Sequence, residues 1–238
     1  MRQPLATLAC CCAAALPAAD DHWRARATPY LLLPTITGET ALGRVGPQEI
    51  AVETDDVFSH LDVGFMLRGE VGHGRWSVLA DLAYMDLEDE VRIGDLELVQ
   101  LIAEGDLGYR IDLPRGWVEL LAGARIWDLE ATLAPLIGED IGMEQSWIDP
   151  VVGARAALPL LLGFGLYGRG DLGGFGVGSD FTCQLEAGAT WRPLPLLSVE
   201  LGYRALAVDY EDGDRGERGY FAYDTVTHGV QLGLGVGF

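Results

Sequence analysis

No run of eighteen apolar residues occurs in the 238-residue chain, although 49% of it is hydrophobic. A membrane-crossing helix needs about 20 such residues in succession, so helical insertion is excluded. Cations are also scarce. Sixteen Lys and Arg stand against 36 Asp and Glu, a net charge of −20, and such a surface repels nucleic-acid phosphates. Cysteine is confined to Cys10, Cys11, Cys12 and Cys183. The first three fall in an N-terminal targeting segment, so no internal disulfide is expected even in an oxidising compartment. Histidine is limited to His22, His60, His73 and His228, with no His-x-Ser pair. His60, near Asp55 and Asp56, is the one residue placed for acid–base work. We therefore expect no enzyme, no catalytic residue, no cofactor and no metal.

Glycine, by contrast, is abundant at 32 residues, which favours turns and close-packed sheet over helix. Residues 1–19 read as a signal peptide: Arg2 as the charged start, an apolar stretch from Leu5 to Leu16, then Pro17, Ala18 and Ala19 before Asp20 and Asp21. A lipoprotein alternative at Leu8-Ala9-Cys10 has too short an apolar core. Residues 20–238 then form one domain.

The last ten residues organise the rest. From Gly229 to Phe238, Val230, Leu232, Leu234, Val236 and Phe238 alternate with Gly or Gln231. In an extended chain those five form one apolar row, and the opposite row is almost bare. Gln231, Gly233, Val236 and the terminal Phe238 resemble the C-terminal insertion signal of bacterial outer-membrane β-barrels. That resemblance implies handling by a barrel assembly machinery.

Upstream the same alternation repeats. Strands are expected near 23–35, 61–72, 76–84, 95–111, 116–132, 144–158, 162–176, 180–192, 197–210 and 221–238. Trp76, Val78, Ala80, Leu82 and Tyr84 share a face with an aromatic at each end. Eight steps of about 3.4 Å, tilted by about 40°, give roughly 21 Å of depth, close to the band of about 25 Å between aromatic girdles. Turns near 73, 114, 160 and 194 are short and rich in Gly or Pro. Segments near 36–60, 88–94, 133–142 and 211–220 read as longer, polar loops, with Val57 and Phe58 as a short helical or capping piece. The fold class is therefore all-β: an antiparallel up-and-down transmembrane barrel of about ten strands, eight or twelve being the alternatives, with both termini periplasmic.

Arg169-Gly170-Asp171-Leu172-Gly173-Gly174-Phe175-Gly176-Val177-Gly178-Ser179-Asp180, with Gly202-Tyr203-Arg204, Asp209-Tyr210, Tyr30-Leu31, Gly74-Arg75-Trp76 and the stretch Asp149-Pro150, Val152-Gly153, resembles a group of porin-like bacterial outer-membrane β-barrel proteins. The resemblance spans nearly all of residues 20–238. It implies fold and an outer-membrane location, with outer-membrane lipid and lipopolysaccharide as surroundings, and brings no reaction or cargo with it.

Alternation places Arg68, Arg125, Arg155, Arg169 and Arg204 inside, beside Asp62, Asp81, Glu104, Glu119, Asp149, Asp171 and Glu200. Facing lipid at the midplane, each arginine would cost about 2–4 kcal/mol. Two readings of this lumen stand side by side: paired charges that fill it, or a narrow polar conduit or ligand pocket. Arg169, Asp171, Glu200 and Arg204 are expected to share one network. The adhesion-like tripeptide Arg169-Gly170-Asp171 lies in the wall and is inaccessible. The acidic run from Asp209 to Asp214 lacks calcium-loop spacing and reads as a solvated face. A barrel enzyme and a soluble lipocalin-like binder are the alternatives. Apolar outward rows on nearly every strand speak against the soluble form.

Overall fold

The computed structural model describes residues 22–42, 45–52, 61–91, 94–135, 141–217 and 219–238. The proposed signal peptide and the Val57-Phe58 piece lie outside the described residues. Eleven strands follow one another: β1 (Trp23–Leu42), β2 (Val45–Val52), β3 (Leu61–His73), β4 (Trp76–Val91), β5 (Gly94–Leu113), β6 (Gly116–Pro135), β7 (Ile141–Pro159), β8 (Phe164–Gly174), β9 (Phe181–Leu194), β10 (Leu197–Asp212) and β11 (Phe221–Gly237). All pairings are antiparallel, and β11 returns to β1 to close the sheet. Closure joins the first strand to the last, which is what lets a sheet exist in hydrocarbon. The seam runs from Leu42 opposite Phe221 to Arg26 opposite Gly237, and Ala25 and Phe238 then exchange two backbone hydrogen bonds of 3.0 and 2.9 Å.

Ten staves close the barrel, and β2 is additional. Both β2 and β3 lie on the same edge of β1: β2 pairs with Ile36 to Leu42, β3 with Trp23 to Pro29. This corrects the expected loop at 36–60, because β1 continues to Leu42 and β2 folds back on it. The same correction applies at 88–94, where the ladder runs out to Val91 opposite Gly94, and at 133–135 and 211–212. Beyond the lipid, a hairpin satisfies its own backbone groups and needs no apolar row. Glu39 opposite Glu49 is such a pair, both exposed. Sequence alternation goes silent there although the sheet does not stop.

The lipid band is legible on the outer face. Trp76 packs edge-on against Tyr109, and Phe164 stacks on Trp191, all near the short turns. On β9, ten residues separate outward Trp191 from outward Phe181, roughly 26 Å of depth at a tilt of about 40°. Wall height varies beyond that band. β5 and β6 have 20 residues each and β8 only 11, so the rim opposite the short turns dips at β8–β9.

Candidate functional site: the charged lumen

Inward positions of these strands carry the charges that alternation assigns to them. Arg125 on β6 is the centre, 0% exposed. Its Nη2 lies 2.5 Å from Glu104 Oε2 and 2.7 Å from Asp171 Oδ1, and its Nη1 donates to Thr182 Oγ1 at 3.0 Å. Arg169 pairs with Glu104, with Asp106 at 2.9 Å and with Asp171 at 3.0 Å. Glu104 and Asp171 thus each bridge two guanidiniums. A planar fork suits this sharing, since one side chain offers several fixed N–H directions.

A second cluster lies beside it. Arg68 holds Glu186 through both Nη atoms at 3.1 and 3.0 Å and reaches Asp81 at 3.2 Å, while Gln231 Nε2 donates to Glu186 at 2.6 Å. Arg204 donates to the Tyr30 hydroxyl at 2.8 Å and stands 3.6 Å from Asp81, to which Tyr30 itself donates at 2.6 Å. Towards the short turns, Arg155 pairs with Glu119 and, at 2.8 Å, with Glu70. Glu200 stands apart on Arg26 at 3.2 Å.

The expected single network of Arg169, Asp171, Glu200 and Arg204 is therefore corrected. Arg169 and Asp171 join Arg125, Arg204 joins Asp81, and Glu200 joins Arg26. Long side chains in a closed barrel reach across the lumen as readily as along the wall, so neighbouring strands do not fix partners. Alternation points Asp106, Glu186 and Arg26 inward, but nothing in local spacing reveals their partners. Asp62 has no described side chain. All sixteen cations of the chain are arginine.

Above the charges lies an aromatic layer. Trp127, Trp147 and Tyr210 stack at centroid distances of 5.5 and 3.9 Å, with Ile102, Leu129, Leu206, Val208 and Phe221 packed around them. Asp149, also 0% exposed, has no ion pair with an arginine among the described residues. It accepts from Trp127 Nε1 at 2.9 Å, from the Ser179 amide at 2.6 Å and from Ser179 Oγ at 2.8 Å, while Trp147 Nε1 donates to Ser179 Oγ at 2.8 Å. The stretches around Asp149, Arg169–Asp180 and Asp209-Tyr210, distant in sequence, meet here. Asp180 N completes the junction by donating to the Asp209 carbonyl at 2.9 Å.

The remaining candidates fall outside this interior. His73 packs on Trp23, and His228 lies 2.7 Å from the Tyr203 hydroxyl. His60 lies outside the described residues. At the end of β10, Glu211 pairs with Arg215 of the following loop at 3.0 Å, and hydrogen bonding to that guanidinium holds its carboxyl below the usual range. Among the described residues no group of three His, Cys, Asp or Glu is placed to hold a metal. Gln231 and Gly233 face inward, Val236 outward, and Phe238 is 78% exposed.

Solved structures share this architecture. The outer-membrane protease OmpT from Escherichia coli superposes with a TM-score of 0.63 at 11% identity, over 93% of this chain and 98% of that one. The translocator domain of the autotransporter NalP from Neisseria meningitidis gives 0.47 at 10% identity, over 93% and 90% of the two chains. Ail, the attachment invasion locus protein of Yersinia pestis, gives 0.40 at 12%, over 91% and 98%. No family model matches the chain, and no curated protein does. The fold is thus that of the bacterial outer-membrane β-barrels. At 11% identity the likeness to OmpT concerns the fold alone.

Proposed function

We propose that this chain is an integral protein of the bacterial outer membrane whose lumen is closed: a rigid, non-enzymatic barrel rather than a porin-like channel. Arg125 carries the reading. A guanidinium without solvent exposure, clamped between Glu104 and Asp171 and roofed by stacked Trp127 and Trp147, leaves no polar path at that level. The outward rows, among them Leu120, Leu185, Leu201 and Leu232, support lipid as the surrounding medium. In this reading residues 1–19 direct export, both termini are periplasmic, and the barrel assembly machinery recognises the row ending at Phe238. Lipid and lipopolysaccharide surround the wall.

Single cysteines in a Cys183→Ala background test medium and lumen together. Cysteines at Leu120 and Leu201 should be shielded by lipid, one at Thr182 shielded by the closed lumen, and one at Asp214 labelled on whole cells by a membrane-impermeant thiol reagent. Labelling at Thr182 would mean a water-filled lumen; labelling at Leu120 would mean that the wall does not face lipid.

A further inference from the structure

Below the arginine network, towards the short turns, the lumen widens into a cavity of about 440 Å³. Seven arginines and three glutamates line it. That balance is the reverse of the chain's, with 36 acids to 16 bases overall. Arg68 and Arg169 form the roof and are held by Glu186 and by Glu104 with Asp106. Of those below, Arg155 is neutralised by Glu70 and Glu119, Arg26 by Glu200, and Arg110 by Asp112 at 2.8 Å.

Two arginines are left over. Arg24 donates to the Gly74 carbonyl at 3.1 Å, touches no carboxylate among the described residues, and has a buried Nε without a partner. Arg192 has neither ion pair nor hydrogen bond among the described residues; the like charge of Arg26 acts on it, with Glu200 and Glu70 opposing from a distance. Two guanidiniums without a carboxylate in contact among the described residues, Arg192 exposed at the turn end and Arg24 half-buried, leave N–H donors free for an anion. Trp117 adds a wall, with Arg110 and Arg155 over its ring at 4.8 and 5.2 Å.

We infer that this vestibule is a binding site for a compact polyanion carrying phosphate or carboxylate groups, held by Arg24 and Arg192 with Arg26 beside them. Guanidinium forks bind such oxygens bidentately. Pro195, Leu196 and Phe238 frame the mouth at the turn end, so entry is along the axis. A soluble anion can enter there fully, whereas a lipid headgroup would have to bend in from the rim. The site goes beyond the closed-lumen reading and needs only the roof beneath Arg125.

Isothermal titration of the refolded full chain in zwitterionic micelles, with tripolyphosphate as probe at constant ionic strength, tests the site. One saturable site is expected, weakened about tenfold or more in Arg24→Gln/Arg192→Gln and unchanged in Arg215→Gln at the opposite rim. Heat-modifiable migration checks that the double variant folds, and Arg192→Gln alone, which removes no partner, should show part of the loss. A second arm adds phosphatidylglycerol to the micelles. Unchanged tripolyphosphate affinity supports a soluble ligand, and competition at the site would overturn the soluble assignment in favour of a headgroup. Absence of saturable heat, or equal affinity in the double variant, would overturn the site while leaving the closed lumen standing. Ionic current through bilayers would overturn the closed lumen and not the site.

Discussion

Arg125 sits where a single side chain decides between a filled and an open interior. Removing it strands Glu104 and Asp171 without one of their two cations, and breaking a buried pair costs about 3–5 kcal/mol. Arg125→Ala should therefore lower the urea midpoint of the refolded barrel strongly. Arg125→Lys should recover little, because a point charge cannot span both carboxylates and Thr182. An unchanged midpoint in Arg125→Ala would mean that water replaces the guanidinium freely. Arg204 gives a sharper test of partner choice. Its carboxylate is Asp81, so Glu200→Ala should add its own loss to that of Arg204→Ala instead of relieving it. Relief in the double variant would mean that the two residues pair after all.

Among the elements, the β8–β9 connection shows how far the sequence can be read. Its glycines mark a turn, and three successive positive φ values at Gly174, Phe175 and Gly176 (84°, 53° and 72°) account for them. What holds the turn is less visible. Gly178 fits under Trp147 and Ile148 so closely that a Cβ would stand 2.5 Å from the Ile148 carbonyl, and Ser179 docks on Asp149, thirty residues upstream. Ser179→Ala removes the hydroxyl's hydrogen bond to a buried carboxylate and the acceptor of Trp147, and leaves the amide bond to Asp149 in place. A loss of about 1–3 kcal/mol is expected, with faster amide exchange over 175–180 measured by mass spectrometry. Exchange as slow as in the parent would mean that Ser179 does not anchor the turn.

Strand positions and facing inside the lipid band were legible because hydrocarbon enforces a period of two. The extra strand β2 and the long hairpin arms were not, because polar ladders outside the band leave no such trace. Inward arginines were legible for the same reason, but partners such as Arg68 with Glu186, 118 residues apart, depend on closure and on which staves face each other. The cation-rich vestibule was hidden too, since Arg24 and Arg26 come from β1, Arg110 from β5 and Arg192 from β9.

For the whole molecule, closure and lipid exposure converge on the last residue. Phe238 completes the β11 row and its main chain exchanges two hydrogen bonds with Ala25 across the seam. Deleting Phe238, or replacing it with Asp, should reduce the heat-modifiable barrel recovered in the outer-membrane fraction and leave aggregated or degraded chain. Normal recovery would remove the terminal row from the insertion mechanism.

The lumen itself is tested most directly by ionic current. Refolded protein inserted into a planar lipid bilayer in molar salt should give no steady unitary conductance, since Arg125 and the stack of Trp127, Trp147 and Tyr210 close the barrel in series. Arg125→Ala, if it still inserts, should show at most brief, irregular openings, because the aromatic layer remains. Regular ion-selective steps from the unmodified protein would contradict the closed barrel outright.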